Sequence, residues 1–339
     1  MALKIKYVDF WQGFDCKNNF LQQSITDAGY EINFSEEPDY LICGVFGHEF
    51  LNEKYDNCIK IFFTGENQCP DFNLYDYGIG FEYINFGDRY LRFPLFYSDE
   101  FLSAYSLMLN KHINARQLLN QKTDFCSFVY SNRRADPIRE QFFEKLSEYK
   151  KVNSGGRYLN NIGNPDGVED KMEFESKHKF SIAFENSSHP GYSTEKLIQA
   201  FAAGTVPIYW GDPRIKEVFN SESFIFVNDY ESLDKVVDKI KEIDQNEDLY
   251  LKYLSTPAPL DSEKFDRENQ KKQLEKFLRS IFDQDKEKAF RRNRGYWGKR
   301  YMEGIRNLWR IIDEQTFLEK FVRILRTEGF EGVLERIKR

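Results

Sequence analysis

The chain has 339 residues, with 48 Lys+Arg against 55 Asp+Glu for a formal net charge of −7, and 17% of it is aromatic. With 41% hydrophobic residues, among them 32 Phe, 20 Tyr and 4 Trp, it can bury a core, which excludes wholesale disorder. No apolar run approaches the ~18 residues of a membrane helix, the N-terminus lacks a secretory signal pattern, and five cysteines without a Cys-x-x-Cys pair fit reduced thiols, not a disulfide scaffold.

In chain order, Leu3–Phe10, Tyr40–Phe46 and Cys58–Thr64 read as short buried strands between polar, helix-compatible stretches. Asp71–Phe96 is dense in Tyr, Phe, Gly and Asp and fits either a loop-rich surface or further short strands. Asn110–Lys122 is polar and predicts a linker. The α/β rhythm then restarts, with strands at Phe125–Tyr130, Lys179–Phe184, Val206–Trp210 and Phe224–Val227. Helices are predicted at Ile138–Tyr149, Glu195–Ala203 and Leu233–Ile243. The length suggests two domains of roughly 150 residues each. Two such α/β units would leave a cleft, and ligands of open α/β sheets bind outside the carboxyl ends of the strands.

The last residues differ. Residues 286–339 hold 15 Lys+Arg and 8 Asp+Glu, a net of +7, which leaves −14 for the rest. Tyr301, Ile305, Leu308, Trp309 and Ile312 are spaced for one helix face. Phe317, Leu318, Phe321, Val322 and Leu325 repeat the spacing, followed by Phe330, Val333, Leu334 and Ile337. A basic amphipathic helical tail on an acidic body suggests an anionic partner. Two readings stay open: the stripe lies in a membrane interface, or it packs on the body or another subunit.

Phe180–Gly211 (FSIAFENSSHPGYSTEKLIQAFAAGTVPIYWG) carries the most chemistry. It reads as strand, loop, helix, turn, strand. Glu185 and Asn186 sit at the first strand's carboxyl end, and Ser193 or Thr194 can cap the helix. The helix N-terminus offers free N–H groups to an anion such as a diphosphate. Lys196 adds a charge there, and Glu195 can accept from ribose hydroxyls. From spacing alone, both also fit ordinary surface residues of a first turn. With four His, none near a Cys in a ligand spacing, no zinc site is expected.

The run ENSSHPGYSTEKLIQAFAAGTVPIYWG resembles the donor-binding motif of the α-1,3/4-fucosyltransferases, glycosyltransferase family 10, which transfer fucose from GDP-fucose. Phe62–Phe81 (FFTGENQCPDFNLYDYGIGF) resembles the acceptor-domain signature of the bacterial members. Phe125–Arg139 (FCSFVYSNRRADPIR) resembles the opening of their nucleotide domain. The resemblance covers roughly residues 1–280. It implies the GT-B glycosyltransferase fold: two Rossmann-like domains facing across a cleft, one binding the acceptor (1–118) and one GDP-fucose (119–285), with the tail (286–339) outside it. It also implies a donor held without a required cofactor or metal, and Phe180–Gly211 contains no Asp-x-Asp pair.

The implied reaction is an inverting transfer of L-fucose to the GlcNAc or Glc of N-acetyllactosamine or lactose-type glycans, as in Lewis-antigen-like bacterial surface glycans. Such a reaction needs a base for the acceptor hydroxyl and positive charge on the leaving diphosphate. The resemblance assigns the base to Glu66, with Glu185 as the rival that supports fucose or oxocarbenium charge. It assigns Arg139, in Pro-x-Arg, and Lys196 to the diphosphate, and Glu195 to ribose. Asn186, Tyr192 and Thr194 are further donor neighbours. An α-1,4 linkage, another nucleotide-sugar donor, or a non-catalytic membrane-associated glycan-binding protein are the alternatives. The expected location is cytoplasmic, peripheral on the inner membrane through the tail.

Overall fold

The computed structural model describes residues 2–261, 265–292 and 295–337. β1 (Ala2–Val8), α1 (Phe20–Asp27), β2 (Glu31–Phe34), β3 (Tyr40–Cys43), β4 (Ile59–Phe63), β5 (Tyr77–Gly80) and β6 (Tyr90–Arg92) build the first layer. Its strands form one parallel sheet in the order β2-β1-β3-β4-β5-β6. β3 and β4 are buried throughout, as expected of parallel strands covered on both faces. The undecided stretch Asp71–Phe96 supplies β5 and β6. The edge strand β2 carries no clear signal, because Glu31–Phe34 is mostly exposed.

α2 (Leu102–Asn110) and α3 (Ala115–Asn120) connect the layers, separated by a single 3-10 turn. The polar linker expected at 110–122 is therefore mostly helical. Lys111 shows why polarity misleads here: it is buried and donates to the Tyr253 and Leu254 carbonyls at 3.2 and 3.3 Å.

β7 (Asp124–Phe128), α4 (Ile138–Ser147), β8 (Val152–Ser154), α5 (Lys171–Ser176), β9 (His178–Phe184), α6 (Glu195–Ala202), β10 (Val206–Trp210) and β11 (Ile225–Phe226) follow. They give a second parallel sheet, ordered β11-β10-β9-β7-β8. α7 (Leu233–Gln245) and α8 (Glu247–Ser255) complete it. The strand order reverses between β1 and β3 in the first sheet and between β7 and β9 in the second. At such a reversal the connections leave in opposite directions and open a crevice at the strands' carboxyl ends. One core joins the layers: Ile5 and Ile61 share it with Met108 of α2, Phe201 of α6 and Tyr209 of β10.

The chain then returns to the first layer. In α9 (Arg267–Phe282), Phe282 meets Tyr30 and Tyr40 edge-on, with ring centres 5.2 and 4.8 Å apart. After α10 (Lys286–Ala289), Arg292 pairs with Asp76, both fully buried. The boundary expected at 285 thus falls inside a segment that packs on the first sheet. α11 (Tyr296–Glu314) and α12 (Phe317–Ile337, kinked at Gly329) end the chain.

α11 turns Met302 inward, with Ile305 half-covered, and stacks Trp309 on His48 at 4.5 Å. Tyr301 and Leu308, expected on the apolar face, are exposed. The side chains of Phe317, Leu318, Val333, Leu334 and Ile337 lie outside those described. The first anionic partner of this basic segment is the body itself. Lys286 pairs with Asp39, Arg291 with Asp88, Arg292 with Asp76 and Arg306 with Asp56. No helix among the described residues is long and apolar enough to cross a membrane.

Candidate active site

Loops from the carboxyl ends of both sheets, with the start of α1, enclose a cavity of about 210 Å³. The first layer lines it with Phe10, Trp11, Phe14 and Phe46, with Phe20 and Phe63 more deeply buried, and with the polar side chains Glu66 and Glu100. The second layer supplies Asn186, Tyr192, Thr194, Glu195 and Lys196. Six of the eight residues expected at the site therefore line one cavity. The other two, Glu185 and Arg139, lie directly behind it, 0% and 1% exposed.

The apolar run of β9 carries the chain to Glu185, whose N–H donates to the Trp210 carbonyl at 2.8 Å. Its carboxylate accepts from the Thr194 N–H (2.8 Å) and hydroxyl (2.7 Å) and lies 3.2 Å from Lys196 Nζ. Thr194 is the N-cap of α6, yet its side chain caps no amide. Glu185 instead accepts from the N–H of Thr194 itself, placing a negative charge near the helix's positive end and leaving the first-turn amides to other partners. The position requires Gly211: at φ +154°, an added Cβ would lie 2.4 Å from Glu185 Cγ.

Lys196 Nζ also donates to Thr194 Oγ1 (2.9 Å) and Glu195 Oε1 (3.3 Å). Burial works to lower its pKa, but the Glu185 and Glu195 carboxylates outweigh it and hold the ammonium well above the usual lysine range. Burial pushes Glu185 up, opposed chiefly by Lys196. Three donors converge on its oxygens, so the geometry fits the carboxylate. Burial likewise works to raise Glu195, but the charges of Lys196 and Lys171 hold it below its ordinary value. The result is an ordered cation with acceptors beneath it and the cavity above.

Arg139 does not reach the cavity. Its Nη2 donates to Asn186 Oδ1 at 2.7 Å and to the Phe184 carbonyl at 3.3 Å, and the guanidinium lies 4.1 Å from the Tyr130 ring centre. Its Nε has no hydrogen-bond partner among the described residues. In this structure Arg139 therefore orients Asn186 from behind instead of offering its fork to a phosphate.

Glu66 stands beyond β4, exposed, with its N–H donating to Thr64 Oγ1 at 2.9 Å. Its neighbour Asn67 donates to Ser187 at 2.6 Å, and Glu82 meets His189 at 2.7 Å. Gly191, at φ +89°, lies where a Cβ would come within 2.4 Å of the Phe81 carbonyl. Tyr83 is flanked by Arg92 (4.1 Å) and Arg214 (3.6 Å), one from each layer. The β9–α6 loop is thus seated on the first layer beside Glu66.

Sequence reasoning missed Glu100 and Asp212. Burial raises the Glu100 pKa, with the Glu195 charge adding to it; nothing in its local pattern signals a site. The Asp212 carboxylate accepts from the Gly191 and Arg214 N–H groups at 2.8 Å each and so fixes the loop. The Gly-Asp-Pro turn after β10 was its one available signal. Among the described residues no cluster of three or more His, Cys, Asp or Glu is arranged to hold a metal ion.

Comparison with known proteins gives the family. Residues 5–98 match the alpha-(1,3)-fucosyltransferase FucT N-terminal domain, and residues 119–291 match the glycosyltransferase family 10 (fucosyltransferase) C-terminal region. The chain belongs to glycosyltransferase family 10, the fucosyltransferases. It is 35% identical over 286 residues to the alpha-(1,3)-fucosyltransferase FucT of Helicobacter pylori, covering 74% of this chain and 59% of that one. It is 33% identical over 136 residues to human 4-galactosyl-N-acetylglucosaminide 3-alpha-L-fucosyltransferase 9, covering 40% of this chain and 37% of that one. A crystal structure of an alpha1,3-fucosyltransferase superposes with a TM-score of 0.72 at 33% identity, covering 84% of this chain and 91% of the other. A crystal structure with GDP-fucose gives 0.70 at 30% identity, covering 86% and 93%.

Proposed function

We propose that this protein is an inverting α-1,3-fucosyltransferase with a GT-B layout, moving L-fucose from GDP-fucose to N-acetyllactosamine or lactose-type glycans. The observation that carries the reading is the juxtaposition of Lys196, held charged at the start of α6, with the Glu66 carboxylate in the same cavity. The relative solved with GDP-fucose supports the donor.

In this reading the acceptor hydroxyl attacks the anomeric carbon while Glu66 takes its proton. The bond to the GDP oxygen breaks as the fucose passes through an oxocarbenium-like state. Lys196 and the free N–H groups of α6 meet the charge that grows on the diphosphate. Asn186, held by Arg139, and Glu195 orient the donor, and Glu185 keeps Lys196 and Thr194 in place. Because these groups supply the positive charge, transfer is expected to persist in EDTA. The first layer, with α9 packed on it, would bind the acceptor, and the second the donor. The exposed Tyr296, Trp297 and Leu308 of α11 are the part of the tail that would meet an anionic membrane surface from the cytoplasm.

The test is incubation with GDP-fucose and lactose or N-acetyllactosamine, followed by linkage analysis. An α-1,3-fucosylated product is expected. An α-1,4 product, transfer only from another nucleotide-sugar, or glycan binding without GDP release would each replace this reading.

A further inference from the structure

The first sheet reverses its strand order between β1 and β3, and the loop following each of these strands carries aromatic side chains into the cavity. Trp11, after β1, is 44% exposed, and Phe46, after β3, is 55% exposed. Both line the cavity wall that holds Glu66. Two neighbouring half-exposed aromatics beside carboxylates present apolar surface that a bound ligand would bury.

The two aromatics are held in place by their backbone. Asp9 adopts the left-handed region at φ +62°, which Asp tolerates better than most residues. Its carbonyl accepts from the Phe46 N–H at 2.8 Å. Its carboxylate accepts from the Glu49 and Phe50 N–H groups at 2.8 and 2.9 Å. The two loops are therefore tied together through one residue. Phe14 supports Trp11 edge-on at 4.9 Å, and Trp11 meets Phe46 edge-on at 6.2 Å.

We propose that Trp11 and Phe46, whose rings meet nearly at right angles, form an aromatic platform with one raised side, on which a pyranose ring of the acceptor stacks against Trp11 and abuts Phe46, delivering its hydroxyl to Glu66. This rests on the transferase reading above. A sugar ring has an apolar face of C–H bonds and a rim of hydroxyls. The platform matches the face, and Glu66 and Glu100 on the same wall match the rim. Guanine is also a flat ring, but the cation for its diphosphate, Lys196, comes from the second layer while Trp11 and Phe46 come from the first, so the platform is assigned to the sugar acceptor.

The experiment measures equilibrium binding of N-acetyllactosamine, and separately of GDP, by ligand-observed NMR or calorimetry. It uses the parent chain, Trp11→Ala, Trp11→Phe and Phe46→Ala. Trp11→Ala should weaken disaccharide binding about tenfold, as expected for loss of an aromatic stack. Trp11→Phe should lose less than about threefold, Phe46→Ala a smaller but measurable amount, and GDP binding should be unchanged in all. Disaccharide binding that survives Trp11→Ala and Phe46→Ala, weakened GDP binding in place of weakened sugar binding, or a parent chain that binds no such sugar would each overturn the platform. The transferase reading is read out separately, by GDP release and linkage of the product. It stands if transfer occurs while the Trp11 and Phe46 variants bind sugar normally. It falls if sugar binds but no donor is turned over.

Discussion

The Thr194 hydroxyl donates to Glu185 at 2.7 Å and accepts from Lys196 at 2.9 Å, so one oxygen links a buried carboxylate to the ammonium that faces the cavity. Removing it leaves two buried polar partners short of a bond. Thr194→Val, nearly the same shape, should lower unfolding free energy by about 1–2 kcal/mol. It should also raise the KM for GDP-fucose several-fold. Denaturant melts and initial rates measure the two effects, and an unchanged KM would show that Lys196 does not depend on this bridge.

Arg139 and Asn186 should act as one unit, because the guanidinium reaches the cavity only through Asn186. Arg139→Lys keeps the charge but loses the fork and should weaken GDP binding about tenfold. Asn186→Ala should do the same, and the double variant should be no worse than either single one. Fully additive losses would mean that Arg139 touches the nucleotide directly.

Much of this site was legible before the structure. Phe180–Gly211 announced itself because a buried strand, a capped helix and a glycine stop follow in register, and Val206–Trp210 is a strand over the very residues predicted. What the pattern could not tell was depth. Arg139 and Lys196 look alike in sequence, but packing around Tyr130 buries one behind Asn186 while the other faces the cavity. Thr194 is the N-cap residue that the pattern allows, but its bond to Glu185, a carboxylate ten positions before the helix, leaves no local signal. The same limit applies to the tail, whose +7 charge leaves an outside anionic partner and packing on the body equally open. Asp39, Asp56, Asp76 and Asp88 are its partners within the chain and become visible only once it folds back.

Glu66 and Glu185 should separate by phenotype. Glu66→Gln alters an exposed side chain, so stability should hold while kcat falls about 10²–10⁴-fold, the usual worth of a general base. The KM for GDP-fucose should stay within about twofold. Glu185→Gln removes the buried partner of Lys196 and should destabilise the fold and impair donor binding together. Near-normal kcat in Glu66→Gln would remove it from the base role.

Lys111 predicts a pH dependence. Burial lowers its pKa to about 7 from an unfolded value of 10.5. Between those values the unfolded chain binds the proton and the folded chain does not, so stability is full above the unfolded pKa and is lost as pH falls through the folded one. Near pH 8 the slope from this group should be on the order of 1 kcal/mol per pH unit. Lys111→Met should be more stable near pH 7 and show a shallower rise between pH 7 and 8. Equal slopes in the two proteins would mean that Lys111 stays protonated in the fold.

Arg292 tests whether the segment after α9 belongs to the first layer. Asp76 accepts from Lys60, Arg291 and Arg292 backbone N–H groups at 2.7, 2.7 and 2.9 Å and pairs with the Arg292 guanidinium, all within the first sheet's covered face. Arg292→Met strands a buried carboxylate and should cost about 3–5 kcal/mol. Arg292→Met combined with Asp76→Asn removes the stranded charge and keeps an acceptor for the Arg291 and Arg292 amides, though not for the Lys60 amide, so it should recover part of that loss. The recovery distinguishes an electrostatic clamp from simple packing, because a packing defect at residue 292 would persist in the double variant. Since the clamp lies on the first layer and away from Lys196, GDP affinity measured in the folded fraction should not change in either variant.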